Sequence, residues 1–244
     1  MRALSASELL EVWEHGLDQG PVERALALWG AASPETRREA LAALSIGRRD
    51  AALLTLRKWT FGPRLACLAV CHHCGQQLEL TFNVDEVLLS PLVEPDGAAT
   101  MTVAGYELQF RTPNSLDIAA VVNGHETDEQ RKILFERCLL AARRQGKPAT
   151  PAELPSAVVE VVVERIAGMD PQADVELNIS CSSCGQQWRA VFDIVSFFWS
   201  EIDAWARRLL LEVHLLASAY GWQEGDILAL SPWRRQCYLE MVAG

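Results

Sequence analysis

Four of the seven cysteines stand in two Cys-x-x-Cys pairs, Cys71-His-His-Cys74 and Cys181-Ser-Ser-Cys184. One tight turn presents two thiolates, and two such turns facing each other supply the four sulfurs of a tetrahedral zinc at about 2.3 Å. Gly75 and Gly185 directly follow the second cysteine of each pair. Glycine takes a positive φ freely, which lets backbone N–H groups point at sulfur. The expected site is therefore one structural Zn2+ held by Cys71, Cys74, Cys181 and Cys184, closed by protein on all four corners and not catalytic. A thioredoxin-like redox pair is a competing reading, but such a pair begins a helix, whereas strand-like alternation follows both pairs. An apo site or another metal is a further alternative. His72 and His73 could replace a thiolate, but with four cysteines to hand they are expected to be turn residues. Cys67, Cys138 and Cys237 read as small buried apolar side chains.

An internal repeat frames the pairs. A shift of 110 residues lays Cys71-His-His-Cys-Gly-Gln-Gln77 on Cys181-Ser-Ser-Cys-Gly-Gln-Gln187, and Phe82 on Phe192. Leu65, Cys67 and Ala69 alternate before the first turn as Val175, Leu177 and Ile179 do before the second. Leu78, Leu80 and Phe82 alternate after it, as do Trp188, Ala190 and Phe192. A period of two is a strand signal, so each copy reads strand, knuckle, strand. The 106 residues between Cys74 and Cys181 must leave this small antiparallel zinc ribbon and return to it.

The remaining elements read as mostly helical, for an α+β fold. Ser5-x-x-Glu8 is a capping box, with Gly16 as a stop. Gly20-Pro21 opens a second helix with Ala25, Leu26, Leu28 and Trp29 as its apolar side. Ser33-Pro34 reads as an N-cap and first-turn proline for a run to Leu44, and a fourth helix is predicted from about Arg49 to Thr60. Pro91, Pro95, Asp96 and Gly97 mark a loop. Val103 to Arg111 reads as one strand, Thr112-Pro-Asn-Ser115 as the cap of a helix from Leu116, and Glu126 to Gln145 as a helix. Another helix is expected from Ser156 to about Ala167. Trp199, Ile202, Ala206, Leu209, Val213, Leu216 and Tyr220 step by three and four, one face of a long C-terminal helix. Asp203/Arg207 and Arg208/Glu212 are its (i, i+4) pairs. Trp222 to Leu228 reads as a turn and a short helix, and Ser231-Pro232 starts a last one through Met241. The segments divide as a 1–62 helical bundle, a discontinuous ribbon at 63–90 and 172–195, an insertion at 91–171, and a C-terminal helical section at 196–244.

Composition narrows the function. The chain has 244 residues, half of them apolar, and a formal charge of −10. An acidic balance disfavours nucleic-acid or anionic-membrane binding, which needs a basic face. No uncharged apolar run is long enough to span a bilayer, and the N-terminus lacks a secretory core, so a cytoplasmic protein is expected. Phosphate loops, nucleophile elbows and His-Glu-x-x-His motifs are missing from the sequence, and the histidines His15, His72, His73, His125 and His214 are dispersed. His214, mid-helix among Val213, Leu215 and Leu216, reads as a packed, hydrogen-bonded residue. No enzyme is expected. Trp199, Trp205, Trp222 and Trp233 suit a protein-binding role, since exposed Trp and Arg are favoured at interface hot spots; the five Arg-Arg pairs read as ordinary surface pairs, with docking onto an acidic partner protein as the alternative.

Several stretches resemble the baseplate hub assembly chaperones of T-even-type phages, whose relatives occur with phage-tail-like contractile injection systems. They are Ser45-Ile-Gly-Arg-Arg-Asp-Ala51, Phe110-Arg-Thr-Pro-Asn-Ser-Leu-Asp117, Phe192-Asp-Ile, Trp199-Ser-Glu-Ile-Asp203, His214-Leu-Leu-Ala-Ser-Ala-Tyr-Gly-Trp222, Asp226-Ile-Leu-Ala-Leu-Ser-Pro232 with Arg234-Arg235, and Tyr238-Leu-Glu-Met241. The two Cys-x-x-Cys-Gly turns resemble those of the long, zinc-ribbon-bearing members. The resemblance implies a non-enzymatic assembly chaperone or baseplate component that binds a hub or spike subunit. The alternative is a zinc-ribbon regulatory module that binds nucleic acid or a transcription complex.

Overall fold

The computed structural model describes residues 1–89, 97–122 and 127–243. The loop residues Pro91, Pro95 and Asp96, with His125 and Glu126, lie outside the described residues. Helices α1 (Ala6–Gly16), α2 (Pro21–Ala32), α3 (Arg38–Ala42) and α4 (Ile46–Phe61) precede a hairpin of β1 (Arg64–Val70) and β2 (Gln77–Asn83). Then come α5 (Val84–Val87), β3 (Ala99–Val103), β4 (Tyr106–Phe110), α6 (Ser115–Val121), α7 (Thr127–Cys138), β5 (Leu139–Arg144), β6 (Lys147–Pro148) and α8 (Ser156–Met169). A second hairpin, β7 (Glu176–Ser180) and β8 (Gln187–Val191), leads into α9 (Ile194–Tyr220), α10 (Glu224–Ala229) and α11 (Pro232–Ala243). The fold is α+β, and the chain divides into two compact units: Met1–Glu35 with Ile194–Gly244, and Thr36–Asp193.

The first unit is helical and centres on α9. Trp199, Ile202, Ala206, Leu209, Val213 and Leu216 of its predicted face are buried, while Tyr220 is exposed. Trp199 is thus core, not an interface residue. Its ring lies where a Cβ on Gly16 would come within 2.3 Å, so Gly16 serves close approach as well as the end of α1. Trp13 Nε1 donates to Asp203 at 3.0 Å, and Asp203 also takes the predicted bond from Arg207 at 2.9 Å. Glu212 pairs instead with Arg235 at 3.0 Å, not with Arg208. The Leu230 carbonyl holds the Arg235 guanidinium in place at 2.8 Å, so little side-chain entropy is lost in that pair. His214 is exposed, contrary to the packed role expected for it. Ser33 does not start a helix: its N–H closes the end of α2 on the Gly30 carbonyl, and the next helix begins at Arg38.

Among the described residues, the second unit holds three separate sheets: the two hairpins and the four-stranded order β3-β4-β5-β6. Tyr106, Leu108 and Phe110 point from β4 onto Val158 and Val162 of α8, with Phe135 and Leu154 completing the core. Two expectations fail here. The strand read as 103–111 is broken by Ala104-Gly105, both at positive φ, the backbone of a two-residue hairpin turn. The helix read as 126–145 stops at Cys138, because Leu139–Arg144 pairs with β4 and returns through Gln145-Gly146, again both at positive φ. Local propensity favours helix in this run, but the free edge of β4 decides the outcome.

The N-terminus of α4 is built from distant residues. Ser45 caps it, and Gly47 N–H donates to Asp170 Oδ2 at 2.8 Å. A carboxylate there also complements the helix dipole. A Cβ on Gly47 would stand 1.9 Å from Asp170 Oδ1 and 2.7 Å from its Cγ. Gly47→Ala is therefore expected to cost about 1–3 kcal/mol, read as a lowered urea midpoint with an unchanged m-value. An unchanged midpoint would mean that Asp170 swings aside without loss.

Candidate metal centre

Each knuckle is closed by the same local bonds. Cys71 N–H donates to the Gln76 carbonyl at 2.9 Å, and Gly75 N–H to the Cys71 carbonyl at 2.8 Å. The second copy repeats them: Cys181 N–H to Gln186 at 2.8 Å, and Gly185 N–H to Cys181 at 2.9 Å. Gly75 and Gly185 both sit at φ +74°. The repeated Gln-Gln has a role here, since Gln76 Nε2 donates to the Gln77 carbonyl at 2.9 Å and Gln186 Nε2 to Gln187 at 3.0 Å.

The hairpins meet through Cys71, Leu78, Ile179 and Cys181, with Ala69, Leu80, Leu177, Trp188 and Ala190 packed around them. Their relation is a local twofold. Phe82 and Phe192, equivalent in the repeat, meet edge to face at 5.4 Å. Cys71–Cys184 and Cys74–Cys181, which the same operation exchanges, stand 3.7 and 3.6 Å apart. All four sulfurs lie within 4.8 Å of one another. A tetrahedral zinc with sulfurs at 2.3 Å requires sulfur–sulfur separations of about 3.8 Å, so the cluster has the dimensions of a four-thiolate metal site.

Electrostatics agree with that fit. The Cys74 amide, aimed at Cys71 Sγ, holds the Cys71 thiol below the usual cysteine range. The Cys184 amide does the same for Cys181, down to about 7. Against the lowering pull of the Gln76 and Gln186 amides, desolvation and the neighbouring thiols lift Cys74 and take Cys184 to about 12. Four thiols this close cannot all ionise without a countercharge, and a bound cation is what deprotonates such a set.

The structure thus brings together Cys71, Cys74, Cys181 and Cys184, which can hold a metal ion. His72 and His73 are exposed turn residues, and His72 leans on the edge of Trp188 at 6.0 Å. Cys67 and Cys237 are half-buried and Cys138 is buried; burial and the nearby Asp117 push the Cys138 thiol up to about 11. Arg189 on β8 pairs with Glu176 on β7 at 2.8 Å.

One buried cluster escaped the sequence reading. Asp117, fully buried, accepts from Arg111 at 2.5 and 3.0 Å, from Arg137 at 2.9 Å and from the Asn114 amide at 3.0 Å. The capping signal around Asn114 is legible, but Arg137 is 20 residues beyond Asp117, and nothing in its neighbours announces the pairing. The stretches 45–51 and 110–117 also meet: Ile46 N–H donates to the Pro113 carbonyl at 3.1 Å, beside a bridge between Ser45 and Asn114.

Residues 32–199 match the family described as T4 bacteriophage base plate protein. No curated protein and no solved structure matches the chain. Among the described residues, no helix is long and apolar enough to cross a membrane.

Proposed function

The chain belongs to the T4 bacteriophage base plate protein family, and from that premise we propose that it is a non-enzymatic assembly chaperone of a contractile tail-like machine. It acts in the cytoplasm by binding a hub or spike subunit of the baseplate. The family match over 32–199 supports the baseplate part of this reading, and the chaperone role rests on the resemblance of the stretches quoted above. The metal is one structural Zn2+ on Cys71, Cys74, Cys181 and Cys184, a reading supported by the sulfur separations and by a donor set of four thiols. Zinc, once bound, supplies the countercharge for four thiolates and ties the two hairpins together. The chain's own part is to aim the turn amides at the sulfurs.

The test is a tagged pull-down from cells assembling the machine, with finished particles assayed alongside. Recovery of a hub or spike subunit, and absence of the tag from particles, is expected. Tag retained in particles would make the protein a baseplate component instead of a chaperone. Recovery of no tail component would overturn both roles.

A further inference from the structure

The duplicated hairpins share their knuckles and the alternation of the faces that meet, but their outer faces differ. On β7–β8 the outward side chains are Glu176, Asn178, Ser180, Gln187, Arg189 and Val191. Apart from Val191 this is a polar, solvated face, and its arginine is paired within the hairpin. The same positions of β1–β2 hold Ala66, Leu68, Val70, Gln77, Glu79 and Thr81. Leu68 is 66% exposed and Val70 51%. A hairpin of this design folds with a polar outer face, as β7–β8 does, so the apolar side chains of the first copy serve something outside the hairpin. The charges on that face say what. Arg64 opens β1, and Glu79 stands opposite Leu68, four residues further on and about 13 Å along the strands. Both are exposed, and among the described residues neither has an ion-pair partner. The arginine–glutamate pair of the second copy cannot form here, because Ala66 and Glu79 occupy its two places. One unpaired cation and one unpaired anion on a single face make that face its own complement. A twofold axis lying in the plane of contact, and passing between Ala66 and Thr81, sets each Arg64 against the partner's Glu79.

We propose that the outer face of β1–β2 is a self-association surface: two copies of this chain stack these hairpins face to face, with Ala66 and Leu68 enclosed between two Arg64–Glu79 bridges. Face-to-face stacking of sheets is an ordinary packing mode. One hairpin face is smaller than a standard interface, so the dimer is weak and populated at high concentration. The inference goes beyond the assembly role and does not depend on it.

The test is sedimentation velocity of the full-length protein from dilute to concentrated solution, with metal content and melting temperature measured on every variant. A monomer–dimer equilibrium is expected, weakening as salt is raised. Leu68→Asn, which installs the side chain that the second copy carries at this place, is expected to weaken the dimer about tenfold, a loss of about 1.4 kcal/mol. Arg64→Glu and Glu79→Arg are each expected to weaken it by about as much, since each sets like charges together twice. The double variant Arg64→Glu with Glu79→Arg is expected to restore it. That rescue within one chain is peculiar to a twofold contact, and it serves if Leu68→Asn fails to fold. A native chain that is monomeric at every concentration, a double variant no tighter than the single ones, or a Leu68→Asn protein that dimerises as the native one does would each overturn the proposal. If the native chain is monomeric and Leu68→Asn loses the baseplate subunit in the pull-down, the face belongs to that subunit and the self-association is wrong. If the native chain dimerises but recovers no baseplate subunit, the assembly role falls and the self-association stands.

Discussion

Chelation of the proposed zinc, or Cys184→Ser, is expected to unfold the Thr36–Asp193 unit or lower its melting temperature sharply. A two-stranded hairpin is marginal by itself in water, and here the contact between hairpins rests on Cys71, Leu78, Ile179 and Cys181 with a few half-buried neighbours. That surface is small, and two of its four buried members are themselves ligands of the proposed metal. Structural zinc in small peptides contributes on the order of 10 kcal/mol, comparable with the whole stability of an ordinary domain, about 5–15 kcal/mol. The check is a thermal melt followed by circular dichroism, with zinc determined on the same samples. Cys237→Ser, a half-buried thiol outside the cluster, is the control and should retain both metal and melting temperature. A chelated protein that melts as the untreated one does would show the four-thiol site to be wrong.

The second large effect is expected at Asp117. Asp117→Ala removes the anion that holds Arg111 and Arg137 and the cap of α6 together. Breaking a buried pair by deleting one partner costs about 3–5 kcal/mol; both arginines retain partial solvent access, which argues for the lower end, about 3 kcal/mol. Asp117→Asn should cost less, since the amide oxygen still accepts a bond. The pH dependence has a defined sign. Desolvation alone would raise the Asp117 carboxyl, but Arg111, the Asn114 amide and Arg137 outweigh it and hold it below its ordinary value. A carboxylate depressed in the folded state stabilises fully above its unfolded value of about 3.9 and loses that contribution as the pH falls through the lower folded value. The gap in denaturation free energy between native and Asp117→Asn proteins should thus be constant near neutrality and close in acid. A gap that persists unchanged in strong acid would assign it to packing.

Features written within a few residues of sequence were legible, because their causes are local. Cys-x-x-Cys-Gly sets its own turn through glycine at positive φ, and its duplication says that two such turns exist. Ser5 with Glu8 is a capping box read from its spacing, and Thr112-Pro-Asn-Ser115 marks the cap of α6, where Asn114 and Asp117 form a second box. The buried face of α9 follows from periodicity, since burying one side of a helix demands it. The stretches that resemble baseplate chaperones pointed to the family that residues 32–199 match.

What only the tertiary structure decided depends on partners far away in the chain. Leu139–Arg144 is a strand because β4 offers it an edge, although its composition continues the helix before it. Glu212 goes to Arg235 because a second bond fixes that arginine, not to the nearer Arg208. Gly47 must lack a side chain because Asp170 approaches it, and Asp117 is an ionic hub because α7 brings Arg137 to it. Spacing along the chain records turns, caps and faces. It does not record which long-range contact wins when two are possible, since that choice is made by desolvation and by the entropy of holding each side chain in place.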